Sequence, residues 1–263
     1  FHRISDTKGY SGAYLYDIYS LFCNSCVNNE SFEDWFALNY PDQAEFAAIY
    51  DDILREFEET KAQFNYADFN DLLIKMRNEL KNGSAICFDE ILVDEYQDTN
   101  SLQGSLIDAF NAKSLFCVGD FDQSIYAFNG ANIEIIGSFK ERYIGANIYS
   151  LNINYRSSAK ILALANKVIA NNPRLYPKSL EVSRDGEFKS PVLLVYDELF
   201  VQYSAVAEII AKSRYHKSDI AIIFRNNSSA DGLEVALKEW GISCKRKGGV
   251  SFFEAREIKA LID

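Results

Sequence analysis

The stretch Ile91-Leu92-Val93-Asp94-Glu95-Tyr96-Gln97-Asp98 sets two adjacent acids directly after three apolar residues. Such a run predicts a short buried strand with the carboxylates at its C-terminal edge, where open α/β sheets take their ligands. An acid there, Asp94, can hold Mg2+ directly or through water, and its neighbour Glu95 can orient or deprotonate an attacking water. A solvated turn explains the same two residues when they stand alone. A second strand-like run closes on Val118-Gly119-Asp120 and continues as Phe121-Asp122-Gln123-Ser124-Ile125-Tyr126-Ala127-Phe128-Asn129-Gly130-Ala131. Gln123 is a neutral donor and acceptor able to sense a terminal phosphate. Tyr126 and Phe128, two apart in a loop, read either as core aromatics or as platforms for bases, worth about 1–3 kcal/mol per base. A third stretch, Leu151-Asn152-Ile153-Asn154-Tyr155-Arg156-Ser157-Ser158, runs from strand into helix with Ser157 or Ser158 as its cap. The planar fork of Arg156 suits a nucleotide γ-phosphate, and a structural ion pair is its other reading.

The elements that must position these residues follow from hydrophobic period. Residues 12–62 are predicted helical, with Tyr14, Ile18, Leu21 and Phe22 on one stripe and Phe46, Ile49, Ile53, Leu54 and Phe57 on another. Asp68 caps a further helix carrying Leu72, Leu73, Met76 and Leu80, which Asn82-Gly83 ends. Strands are then predicted at 91–93, 115–118, 148–153, 192–196 and 219–224. Helices are predicted at 100–111, 132–142, from Ser157 to about Ala170, at 200–213 and at 229–240. Apolar strands alternating with helices predict parallel sheet covered on both faces. The divisions fall near 64 and 147, giving a helical piece (1–64), an α/β piece (65–146) and a second α/β piece (147–263).

Composition narrows the class. The 263 residues are 48% hydrophobic and 25% charged, neither disordered nor fibrous, with no apolar run of membrane-spanning length and no signal-peptide pattern. Five cysteines in apolar runs are no disulfide framework, and Cys23-Asn24-Ser25-Cys26 lacks the second pair that a zinc site needs. The expectation is a cytoplasmic protein with no membrane partner. Net charge is −11, which argues against a simple polyanion binder, yet residues 147–263 are net +4 and hold Lys245-Arg246-Lys247. That triplet is a solvated loop or a phosphate-contacting patch. The chain opens on Phe1 and its one methionine is Met76, so an internal piece of a longer protein is expected.

Taken together, the three stretches resemble the UvrD/Rep family of superfamily 1 DNA helicases. Residues 93–99 are similar to its Walker B motif, 118–131 to its motif III and 151–157 to its motif IV. Tyr66–Leu73 is similar to the family segment preceding Walker B, and Gly248–Lys259 to one in the second motor domain. The resemblance implies RecA-like P-loop NTPase motor domains, α/β with parallel sheets flanked by helices, and a helical subdomain inserted in the first. On that pattern 1–64 is part of the helical subdomain, 65–146 the C-terminal part of the first motor domain and 147–263 the N-terminal part of the second, both incomplete. It implies that Asp94 helps hold Mg2+, that Glu95 is the base for the hydrolytic water and that Gln123 touches the γ-phosphate of ATP and couples it to the DNA track. Tyr155 would stack on the nucleotide base, and Arg156 would be the arginine finger. Tyr126 and Phe128 would lie along single-stranded DNA, with Phe128 where the family usually has tryptophan.

Departures from the family pattern are specific. Asn129 and Ala255 stand where the family usually has arginine, although Arg256 follows the second. No Gly-x-x-x-x-Gly-Lys-Ser/Thr occurs in the chain, so the phosphate-cradling loop is absent from it. Residues 65–146 alone are therefore expected to expose strand edges and apolar faces, covered by flanking sequence of the same protein or by self-association. The expected function is a segment of an ATP-dependent helicase or translocase acting on single-stranded or duplex-junction DNA, with little turnover by itself. A non-hydrolysing nucleic-acid-binding or scaffold fragment, and the motor of a helicase–nuclease, are the alternatives.

Overall fold

A computed structural model describes residues 11–25, 30–83, 86–172, 178–184, 186 and 189–248. It divides into two compact units, residues 1–189 and 190–263.

The first unit begins with helices α1 (Gly12–Ser25), α2 (Phe32–Asn39) and α3 (Ala47–Phe64). Their apolar faces close a core containing Leu15, Ile18, Phe32, Trp35, Phe36, Tyr50 and Leu54. Aromatic rings meet edge-on within it, Phe36 against Tyr50 at 5.2 Å and Phe22 against Phe32 at 5.3 Å, the geometry that ring quadrupoles favour. Asn65, left-handed at φ 54°, ends α3. Asp68 then opens α4 (Phe69–Lys81) with a reciprocal capping box, its carboxylate accepting from the Asp71 amide while Asp71 accepts from the Asp68 amide. Lys61, 6% exposed, reaches from α3 into this cap and pairs with Asp68 at 3.1 Å and Asp71 at 2.9 Å.

Strands β1 (Glu90–Val93) and β2 (Ser114–Cys117) pair in parallel, Val93 opposite Cys117, with α5 (Ser101–Ala109) as the crossover that parallel strands require. Asn100 and Gln103 form the capping box of α5. The predicted helix at 132–142 is broken at Ser138 into α6 (Ile133–Gly137) and α7 (Phe139–Arg142), the Ser138 hydroxyl turning back onto the Glu134 carbonyl. Farther on, β3 (Ile153–Asn154) pairs in parallel with β4 (Glu181–Val182), and α8 (Ala159–Ile169) lies between them in the chain.

In the second unit α9 (Leu199–Ala211) packs on α10 (Ser228–Glu239) through Ala207, Ile210, Leu233, Ala236 and Leu237. Gly232 makes the approach possible, since a Cβ there would overlap the Tyr203 ring. Arg246 turns inward to Asp231 at 2.8 Å and to the Asn227 carbonyl at 2.7 Å, so it is a structural ion pair and not part of a free phosphate patch.

Two expectations are corrected. Of the strand predicted over 148–153 only Ile153 is laddered, the pairing running on to Asn154, while 192–196 and 220–224 carry no ladder among the described residues and Asp219 closes a 3-10 turn over Lys217–Asp219. An apolar run supplies the propensity, but a strand also needs a neighbouring edge to satisfy its amides and carbonyls. The β1–β2 sheet is also not covered on both faces, since Leu92 is 75% and Phe116 58% exposed, the exposure of apolar faces expected of residues 65–146 alone. No helix among the described residues is long and apolar enough to cross a membrane.

The Lys61 cluster sets an acid limit. Burial raises the Asp71 carboxyl, but the Asp68 amide and Lys61 more than reverse this and hold it below its ordinary value. A depressed carboxyl stabilises fully above its unfolded value, near 4, and less as pH falls through the folded one. Asp71→Asn is expected to lower stability by about 1–3 kcal/mol at pH 6 and by much less at pH 3, read by urea unfolding at the two pH values.

Candidate nucleotide and nucleic-acid site

The ladder between β1 and β2 continues past the strands, the Val118 amide donating to the Val93 carbonyl at 2.8 Å and the Tyr96 amide to the Val118 carbonyl at 2.9 Å. Asp94 and Glu95 follow at that edge, both exposed. Glu95 is left-handed at φ 50°, an unusual state for a residue with a Cβ, and its amide donates to Asp94 Oδ1 at 3.0 Å. The backbone then makes one 3-10 turn over Tyr96–Asp98. Tyr96 is driven into the core against Phe139, ring to ring at 5.6 Å.

Gln97, only 2% exposed, joins the two strand ends. Its Nε2 donates to Glu95 Oε2 at 2.8 Å, and its Oε1 accepts the Asp120 amide at 2.9 Å. The Ser124 hydroxyl donates to its carbonyl at 3.2 Å. Asp120 in turn holds Gln123, whose Nε2 donates to Asp120 Oδ2 at 2.6 Å. Lys178 Nζ pairs with Asp120 Oδ1 and lies 3.6 Å from Asp122 Oδ2. Burial raises the Asp120 carboxyl, but the bonds from Lys178 and Gln123 outweigh it and hold the group below its ordinary value. Glu95 and Gln123, named from sequence, thus belong to one hydrogen-bonded path through Gln97 and Asp120. The sequence reading missed Gln97, Asp120 and Lys178 as participants; an amide directly after a tyrosine that must be buried was the available signal for Gln97.

Tyr126 and Phe128 face each other at 5.7 Å and 35°, 44% and 67% exposed, and so are not core aromatics. A cavity of about 600 Å³ borders their loop at Ala127, Gly130 and Ala131 and the helical layer at Leu21 and Trp35. None of the residues named for nucleotide chemistry lines it.

Tyr155 and Arg156 sit on the turn between β3 and α8, both exposed. Asn154 organises that turn, its side-chain oxygen accepting the Arg156 amide at 3.0 Å and the Ser157 amide at 2.7 Å. Ser158 takes the cap position, one of the two expected, although its hydroxyl makes no side-chain cap bond. No hydrogen bond or ion pair links the Arg156 guanidinium to Asp94, Glu95 or Gln123 among the described residues. Residues 249–263, including Ala255 and Arg256, lie outside the described residues, as does Cys26.

Residues 16–144 match the family model of the UvrD/REP helicase N-terminal domain, and residues 149–263 that of the UvrD-like helicase C-terminal domain. The chain belongs to the UvrD/Rep helicase family. Family membership implies the RecA-like α/β fold, with which the two small parallel sheets and the many helices agree. A probable DNA helicase II homolog of Mycoplasma capricolum is 36% identical over 227 residues, covering 81% of this chain and 30% of that protein. DNA helicase II of Rickettsia typhi is 35% identical over 222 residues, 80% of this chain and 34% of that protein. The ATP-dependent DNA helicase PcrA of Staphylococcus epidermidis is 35% identical over 226 residues, 82% of this chain and 30% of that protein. The chain therefore spans about a third of the length of these curated relatives.

Gly119 is required beside Gln97. A Cβ there would lie 2.9 Å from Gln97 Oε1, closer than real contacts allow, and a tight 3.1 Å from an Ile136 methyl. Gly119→Ala is expected to displace the Gln97 carboxamide and cost about 1–3 kcal/mol in urea unfolding, with a changed side-chain amide resonance of Gln97 as the local readout.

Proposed function

We propose that this chain is part of an ATP-dependent DNA helicase or translocase that moves on single-stranded DNA. The carrying observation is the path Glu95–Gln97–Asp120–Gln123, which fixes a carboxylate and a neutral amide together at the carboxyl ends of two parallel strands. That is the place where phosphoryl-transfer sheets put the group orienting water and the group reading the terminal phosphate.

Glu95 is the base in this reading. Its Oε2 is bonded to Gln97, which leaves Oε1 to accept a proton from water, and its left-handed backbone holds the carboxylate clear of the strand. Gln123, held by Asp120, offers its Oε1 and the remaining Nε2 hydrogen to the γ-phosphate side. Arg156, with no competing ion pair among the described residues, is the cation that neutralises charge from across the nucleotide. Tyr155, exposed beside it, stacks on the base. The donor set fits Mg2+: Asp94 has one oxygen on its own turn and one without a hydrogen bond among the described residues, and Mg2+ commonly takes one or two carboxylates besides phosphates and several waters. When bound, the ion supplies charge neutralisation at the phosphates.

The phosphate-cradling loop is not among these 263 residues. The domain assignment accordingly follows the expectation: residues 1–64 in the inserted helical subdomain, 65–146 in the first motor domain and 147–263 in the second, each incomplete. Exposure of Leu92, Phe116 and Val118 beside β1 and β2 supports a sheet that takes further strands or helices in the whole protein. Tyr126 and Phe128 form the contact with single-stranded DNA, their open faces available to successive bases. Closing Arg156 on ATP and relaxing it after hydrolysis would then move this loop along the strand.

In the full-length helicase, Glu95→Gln is expected to abolish DNA-stimulated ATP turnover while nucleotide affinity stays within about threefold; normal turnover would remove Glu95 as the base. Phe128→Ala is expected to weaken single-strand binding by about 1–3 kcal/mol, measured by fluorescence anisotropy, and unchanged affinity would remove it from the DNA path.

A further inference from the structure

The segment 178–184 touches both the loop that holds Gln123 and the loop that holds Arg156. At its start, Lys178 pairs with Asp120 and stands near Asp122. In its middle, β4 is laddered to β3, the Glu181 amide donating to the Asn152 carbonyl at 2.8 Å and the Ser183 amide to the Asn154 carbonyl at 3.0 Å. At its end, the Arg184 guanidinium donates to the carbonyl of Arg156 itself at 2.8 Å. Six peptide links, about 20 Å when extended, join the two attachments, so the segment has little slack.

We propose that Lys178 is a positioning residue whose ion pair with Asp120 ties the Arg156 loop, through β4 and β3, to the carboxylate that orients Gln123. This rests on the reading of Gln123 and Arg156 as phosphate-facing groups. An ordinary surface pair would do little, since both partners lose freedom and water screens them. Here the side chains of Lys178, Asp120 and Asp122 are 20%, 23% and 10% exposed, so one cation is shared between two largely shielded carboxylates. Asp120 spends its other oxygen on Gln123 and its amide on Gln97. Shifting Asp120 therefore moves Gln123 directly and Glu95 through Gln97. Among the described residues no hydrogen bond or ion pair joins Lys178 or Asp120 to the aromatic loop 126–128, so the effect of the pair falls on hydrolysis and not on the grip of DNA.

The test uses the full-length helicase with Lys178→Met, Asp120→Asn, the double variant and Lys178→Arg. Lys178→Met is expected to lower DNA-stimulated kcat about tenfold with KM for ATP and single-strand affinity within about twofold, and Lys178→Arg to recover most of kcat. The double variant is expected to be no worse than the poorer single one, because both remove one interaction. Without nucleotide, Lys178→Met should also speed amide hydrogen exchange in the peptide spanning 119–124. Unchanged kcat in Lys178→Met, additive losses in the double variant, or equal losses in kcat and DNA affinity would each overturn the proposal. If Lys178→Met does not fold, Asp120→Asn against Lys178→Arg decides the same point, since only the first breaks the pair. A wild-type protein without DNA-stimulated turnover would refute the helicase reading instead, and the exchange comparison would still decide the tie.

Discussion

Two parallel strands end side by side, and nothing in a β ladder fixes what the chain does after its last rung. Gln97 supplies that constraint. Its carboxamide presents a donor to Glu95 and an acceptor to the Asp120 amide at once, and it does so from a position closed to water. A glutamate would bring a third charge against Glu95 and Asp98, and a leucine would leave the Asp120 amide without its partner. The carboxamide also leaves no room for a side chain at residue 119, which is why glycine stands there. The positions of Glu95, Asp120 and Gln123 all depend on this one amide.

Local features were legible in the sequence where the signal was itself local. The Asp68 cap, the Asn82-Gly83 stop and the two stripes holding Ile18 and Leu54 each act within a few turns of helix, and each lies where period and capping chemistry put it. The strand end before Asp94 and Glu95 was also readable, because a three-residue apolar run followed by charge marks where burial stops. Gln97 and Lys178 were not readable as a pair of links. Their partners are separated by 23 and 58 residues, and only tertiary structure brings them together.

The strands misread from sequence share one cause. Residues 192–196 and 219–224 have the composition of buried strands but no laddered edge beside them among the described residues. Hydrophobicity tells where a segment prefers to be, whereas a sheet is a property of at least two segments. The same reasoning accounts for Leu92 and Phe116, which face each other across the ladder yet are exposed. Charge followed a similar pattern. Arg246 belongs to a basic triplet in the sequence, yet it is spent on Asp231 inside its own unit.

The left-handed backbone at Glu95 has an evolutionary consequence. For a residue with a Cβ this conformation costs about 1 kcal/mol, whereas glycine adopts it freely. Thermal robustness and chemistry therefore pull this position in opposite directions. A library screened only for survival after heating should drift toward glycine at 95, and one screened for turnover should hold the acid in place despite the strain.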